Sequence, residues 1–148
     1  MIALANDFAG LELKNRIKEY LDSIDEAYMD FGSSTEEAVD YPVYALKAAG
    51  AVKDHICDRG IVFCGTGIGI SLAANKVKGI RCAVCTDCYS ARMAKEHNNA
   101  NMLALGGRVV GRELAVEIVK AWLRAEFQGG VHQKRLDMIA AIEEGEHV

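Results

Sequence analysis

Residues Ile61–Lys76 read IVFCGTGIGISLAANK: an apolar run, one cysteine, glycines at every second position, and a tail with helical spacing. A short β-branched run that passes through small residues into a helix is how a parallel strand hands over to its crossover helix. The stretch therefore predicts a strand ending near Cys64, a turn over Gly65, Gly67 and Gly69, and a helix over Ile68–Lys76. The same alternation runs along the whole chain. Strands are expected in MIALAN (1–6), EAYMDFG (26–32), GIVFCG (60–65), IRCAVCT (80–86) and NMLALGG (101–107). Helices are expected over Leu11–Ser23, Tyr44–His55, Tyr89–Glu96 and Arg112–Glu126. The pattern is that of the α/β class, a five-stranded, doubly wound parallel sheet. A last helical stretch, QKRLDMIAAIEEGE (133–146), has no strand after it and no crossover to make, so it is expected to pack on a partner subunit.

A chain of 148 residues, 51% of them hydrophobic, suits one domain over residues 1–148 with a single core. No apolar run reaches the ~18 residues of a membrane span, and MIALANDFAG lacks a basic segment before a long apolar one, so a cytoplasmic protein is expected. A net charge of -4 without a Lys/Arg run leaves no electrostatic footprint for nucleic acid, while 17 basic residues suffice for a local anion site. Five cysteines without a leader read as free thiols. Cys82, Cys85 and Cys88 have the C-x2-C-x2-C spacing of part of an iron–sulfur run, but the fourth ligand and its proline are missing. On a strand, side chains three apart point to opposite faces, so Cys82 and Cys85 cannot share an ion. Neither metal nor cofactor is expected.

Sheets of this type bind ligands outside the carboxyl ends of their strands. Asn6 and Asp7, Cys64 to Thr66, Thr86 and Asp87, and Gly106 to Arg108 are all expected there. The glycine loop is no dinucleotide fingerprint: its glycines alternate, it follows the third strand, and no strand-end acid lies at the right distance. It also lacks the Lys-Ser/Thr pair of a Walker A loop. What remains is either a tight turn or a set of converging amides that can hold an anion at a helix start. Cys64 sits just before that helix, where a thiol is acidified from its reference value of about 8.5. A base beside a ring of amides suits removal of a proton next to a carbonyl, with the enediolate oxygen held by N–H groups. Covalent cysteine catalysis would instead need a histidine, and His97 is the candidate, expected at a helix end near the same sheet edge.

Three longer segments, FCGTGIGISLAANK, GIRCAVCTDCYSARMAKEHNNANMLALGGRVVG and GGVHQKRLDMI, resemble type B ribose-5-phosphate isomerase and its sugar-phosphate isomerase relatives over nearly the whole chain. The resemblance implies a Rossmann-like fold and a metal-independent aldose–ketose isomerase without cofactor. It further implies a homodimer, or a dimer of dimers, with active sites shared between subunits and a sugar phosphate as substrate. By resemblance Cys64 is the base, Gly65, Gly67, Ile68 and Gly69 form the enediolate loop, and Thr66 assists ring opening with His97 of the other subunit. Asn98 binds substrate, Asp7 holds sugar hydroxyls, and Arg108 and Arg135, with His132 beside them, hold the phosphate from the partner chain. Phe8 stands where the family usually has histidine, and Val131 where it has arginine. The implied reaction interconverts ribose 5-phosphate and ribulose 5-phosphate. A six-carbon aldose or its 6-phosphate, such as allose or galactose 6-phosphate, is the nearest alternative, and a nucleotide- or flavin-binding module the one from a different class.

Single residues also carry plainer readings. Asp7 is placed to cap a helix start, His97 a helix end, and Arg135 reads equally as a solvated helix charge. Arg108 follows paired glycines at a strand end, where a buried charge without an anion would be costly. Trp122 and Phe127 have the spacing of helical core packing.

Overall fold

Alternation in the apolar runs is resolved as one sheet in the computed structural model, which describes residues 1–148. Its strands are β1 (Ile2–Asn6), β2 (Tyr28–Asp30), β3 (Arg59–Cys64), β4 (Cys82–Val84) and β5 (Met102–Gly106), in the order β2-β1-β3-β5-β4. All four pairings are parallel. The helices are α1 (Leu11–Ser23), α2 (Tyr41–Lys53), α3 (Ile68–Ala74), α4 (Cys88–Glu96), α5 (Arg112–Arg124) and α6 (Val131–Glu143), with a 3-10 turn over Phe8–Gly10.

Period-two side chains sort the core into two layers. Ile2, Leu4, Ile61, Phe63, Leu103 and Leu105 face α1, α4 and α5, where Leu13, Ile17, Val119 and Trp122 pack against them. Ala3, Ala5, Val62, Cys64, Met102 and Ala104 face α2 and α3. That second layer is built of small residues, and α2 answers it with Ala45, Ala48 and Ala49. Helices on both faces make the sheet doubly wound, as the sequence predicts. No helix is long and apolar enough to cross a membrane.

Chain leaving β1 passes to β2 on one side, and chain leaving β3 crosses to the other side of the sheet, so the connections diverge between these two strands. Such a switch point opens a crevice at the strands' carboxyl ends. Asp7 follows β1 there, and Cys64 ends β3.

Several boundaries differ from expectation. Helix α2 begins at Tyr41 rather than Tyr44, because Pro42 sits in its first turn, where its missing N–H is harmless, and it ends before His55, which turns left-handed at φ 58°. Strands β2 and β4 span three residues each, shorter than their apolar runs, since an edge strand has one neighbour to bond. Helix α3 stops at Ala74, and α6 starts at Val131, directly after Gly129 and Gly130.

One polar strut crosses this fold. Lys14 on α1 is 2% exposed, and its Nζ meets the Asp30 carboxylate at 2.9 Å and the Ser33 carbonyl at 3.1 Å. Lys18 adds a bond to the same carboxylate at 3.1 Å. Burial alone would raise the Asp30 carboxyl, but hydrogen bonds from Lys14, the Gly32 N–H and Lys18 outweigh it and hold the group below the usual range. Lys14→Met removes the central cation and is expected to lower unfolding free energy by about 3–5 kcal/mol in a urea titration. With the folded value below the unfolded one, Asp30's contribution is complete above about pH 4 and lost as pH falls through the lowered folded value. The variant should show a smaller loss over that acid range.

Candidate functional site

Cys64 is buried, 4% exposed, at the carboxyl end of β3. Its Sγ accepts the N–H of Gly67 at 3.1 Å. That contact requires Gly67 at φ 78°, where a Cβ would also press to 3.0 Å from the Leu105 carbonyl carbon, so glycine alone fits. Thr66 is exposed beside it, with Oγ1 accepting the Ile68 N–H at 3.2 Å. The exit of β5 braces the loop: Gly107 N–H donates to the Cys64 carbonyl at 2.8 Å and Arg108 N–H to the Gly65 carbonyl at 2.9 Å. Gly69 packs where a Cβ would strike the Tyr41 ring at 2.7 Å.

Asp7 lies across the switch point, 7% exposed. Its N–H donates to the Phe63 carbonyl at 3.1 Å, tying it to Cys64's strand, and its Oδ1 accepts the Gly10 N–H at 3.1 Å. Asp7 therefore caps the 3-10 turn that leads into α1, as its plainer reading holds. Arg108 lays its guanidinium over the Phe8 ring, 5.7 Å from the centroid. Cys64, Thr66, the glycine loop, Asp7 and Arg108 thus form one cluster.

His97, Asn98, His132 and Arg135 form another, and here one expectation is corrected. A helix that crosses back over a parallel sheet runs antiparallel to its strands, so α4 starts at the carboxyl edge and ends, at His97, by the amino edge. His97 is therefore not at Cys64's edge. The five residues of β5 separate the two edges by roughly 15 Å. Within one chain His97 cannot serve Cys64 as a base, which removes the intrachain cysteine–histidine nucleophile. His97 caps the end of α4 and stacks on His132 of α6, rings 4.2 Å apart and 11° from parallel. Asn98 and Arg135 are exposed nearby in sequence, the former through its carbonyl bonded by Arg81 at 3.2 Å.

His132 titrates below its ordinary value because partial burial opposes its charge, followed by positive charge on His97 and Arg135. With the folded value below the unfolded one, its contribution to stability is complete above about pH 6.5 and lost as pH falls through the folded value. An NMR titration should place the His132 midpoint below 6.5 and move it upward in His97→Asn. An unmoved midpoint would contradict the coupling.

The cysteine spacing resolves as the sequence implies. Cys82 packs with the α2–α3 layer and Cys85 with the α1–α4–α5 layer, on opposite faces of the sheet. Burial pushes the Cys82 thiol up to about 12, helped by Cys85, and the Cys85 thiol to about 11, helped by Asp87. Both are unreactive at neutral pH.

Two features escape sequence reasoning: the Phe8 ring under Arg108, and the His97–His132 stack. Phe8 and Arg108 are brought together only because the exits of β1 and β5 both border the end of β3.

A buried thiol at a switch point, bonded by one amide of a glycine loop, with a carboxylate and an arginine in the same cluster, suits proton transfer next to a carbonyl, the chemistry of the aldose–ketose isomerase class. The sequence matches the family model described as Ribose/Galactose Isomerase over residues 2–139. The chain belongs to that family. It is 48% identical over 143 residues to the ribose-5-phosphate isomerase B of Escherichia coli strain K12, covering 97% of this chain and 96% of that one. Its fold matches the ribose-5-phosphate isomerase B of Clostridium thermocellum with a TM-score of 0.96 at 56% identity, over 97% of each chain. It also matches the ribose-5-phosphate isomerase B of Mycoplasma genitalium with bound ribulose-5-phosphate, TM-score 0.92 at 40% identity, over 97% of this chain and 95% of that one.

Proposed function

We propose that the chain, acting as one domain in the cytoplasm, interconverts ribose 5-phosphate and ribulose 5-phosphate through a cis-enediolate, without metal or cofactor. The observation that carries this is the Gly67 N–H donated to the Cys64 sulfur at 3.1 Å, which fixes the sulfur beside the glycine loop at the position of the base. Cys64 takes the proton from carbon 2 and returns it at carbon 1. The loop of Gly65, Gly67, Ile68 and Gly69 receives the enediolate oxygen, the Gly67 and Ile68 N–H groups turning to it from Cys64 Sγ and Thr66 Oγ1, and Asp7 moves protons between the two oxygens.

Ring opening needs Thr66 and a histidine, and His97 lies at the wrong edge of its own chain. A second copy supplies it in this reading, so the working unit is a homodimer in which the amino edge of one chain completes the carboxyl edge of the other. Support comes from the apolar residues left exposed on α2, α3 and α6, among them Val43, Leu46, Leu72, Ile139 and Ile142. His97, Asn98, His132 and Arg135 then come from the partner, whereas Arg108, expected from the partner as well, comes in this reading from the chain that holds Cys64, because its N–H bonds that chain's Gly65 carbonyl at 2.9 Å.

Val131 opens α6 with an exposed apolar side chain just before His132, so the phosphate is held without an arginine there. Restoring one with Val131→Arg is expected to lower KM for ribose 5-phosphate by about tenfold, the worth of one charge-assisted hydrogen bond. The reading as a whole is tested by NMR in deuterated water with ribose 5-phosphate and no added metal. Conversion to the ketose supports it. Turnover of six-carbon aldoses or free sugars alone would replace the substrate and keep the chemistry, and no turnover of any aldose would favour a binding module.

A further inference from the structure

Arg108 is exposed at the end of β5, yet none of the chain's ion pairs includes it. Its stem is fixed instead by backbone and ring. The Arg108 N–H is bonded to the Gly65 carbonyl at 2.9 Å, and Cδ and Nη1 lie 3.5 Å from where a Cβ on Gly65 would be. On its other side the guanidinium carbon stands 5.7 Å from the centroid of Phe8. A guanidinium on a phenyl face is attracted through its plane and keeps its in-plane N–H donors free. A carboxylate partner would occupy the same donors.

Phe8 is itself 37% exposed, so it is not held there by burial in the core. It also lines an open groove with Ala9, Leu11, Glu12, Asn15 and Glu36. Two carboxylates thus share a groove with the ring that carries Arg108; Glu12 is already bonded by Arg112 at 3.2 Å, and Glu36 is the acid left for a flexible arginine without that ring.

We infer that Phe8 is a positioning residue, whose ring holds Arg108 beside the glycine loop as an unpaired cation with its donors open to the substrate's phosphate. This rests on the reading of Arg108 as a phosphate contact. Phe8 touches no reacting atom; it acts through Arg108. Its loss should weaken grip on the phosphate and leave proton transfer at Cys64 alone.

The experiment measures binding of inorganic phosphate by calorimetry, and KM and kcat for ribose 5-phosphate, in wild type, Phe8→Leu, Phe8→Tyr and Arg108→Gln. Phe8→Leu keeps the apolar bulk and removes the π face; phosphate affinity should fall and KM rise by about three- to tenfold, with kcat within about twofold. Phe8→Tyr should behave as wild type, which a merely space-filling role would not distinguish from leucine. Phosphate binding unchanged in Phe8→Leu but lost in Arg108→Gln would overturn the role of Phe8 and keep that of Arg108. Equal phosphate binding in wild type and Arg108→Gln would overturn both. A lower melting temperature for Phe8→Leu with wild-type phosphate affinity would make the ring structural only.

Discussion

Cys64→Ala is expected to fold as the wild type does and to lose turnover by about 10²–10⁴-fold, the contribution of a positioned base. The position tolerates the change because its neighbours are small: the side chain belongs to a layer with Ala5, Ala104 and Val62, and Gly106 lies beside it in the sheet. What disappears is the one acceptor of the Gly67 N–H at that point, together with the group proposed to move the proton. Circular dichroism and a thermal melt would report the fold, and initial rates with ribose 5-phosphate the chemistry. A variant that kept more than about a tenth of wild-type turnover would exclude Cys64 as the base.

The second large effect concerns the separation of the two clusters. His97→Asn should abolish most turnover, as should Cys64→Ala, yet mixing the two inactive proteins under conditions that exchange subunits should restore activity. In a mixed dimer one site carries both substitutions and the other carries neither. Random exchange makes about half of the dimers mixed, with one intact site in two, so recovery should approach about a quarter of wild-type activity. If each site were built from one chain, mixing would recover nothing. The β5 strand between the clusters makes this test decisive, since no rearrangement short of unfolding brings His97 to Cys64 in one chain.

Most of the fold was legible because the interior strands are buried on both faces. Ile2–Asn6, Arg59–Cys64 and Met102–Gly106 are nearly continuous apolar runs, and such runs announce a covered parallel sheet. The edge strands were overdrawn, since the apolar pattern around Tyr28 and Cys82 continues past the point where a neighbour is present to bond. The start of α2 was missed at Tyr41, although Pro42 marks a first turn. The carboxyl-edge cluster could be placed from strand ends alone. The misplacement of His97 was avoidable: a crossover helix must run against its strands, so its last residue lies at the amino edge whatever its sequence. The pairing of Phe8 with Arg108, and of His97 with His132, was out of reach, because each joins segments whose approach is set by the order of strands or by the return of α6 past α4.

The alanine layer beneath Cys64 also bears on how this enzyme can change. Ala5, Ala48, Ala49 and Ala104 are fully buried and already small, so trimming them yields no room, and enlarging them overpacks a filled interior. Adaptation to a longer or bulkier sugar is thereby channelled away from the floor of the site. It has to be written in the rim, in Phe8 and the start of α6, where exposed side chains can be exchanged without disturbing the sheet. A scaffold of this kind evolves new specificity at its margins while its catalytic centre stays fixed.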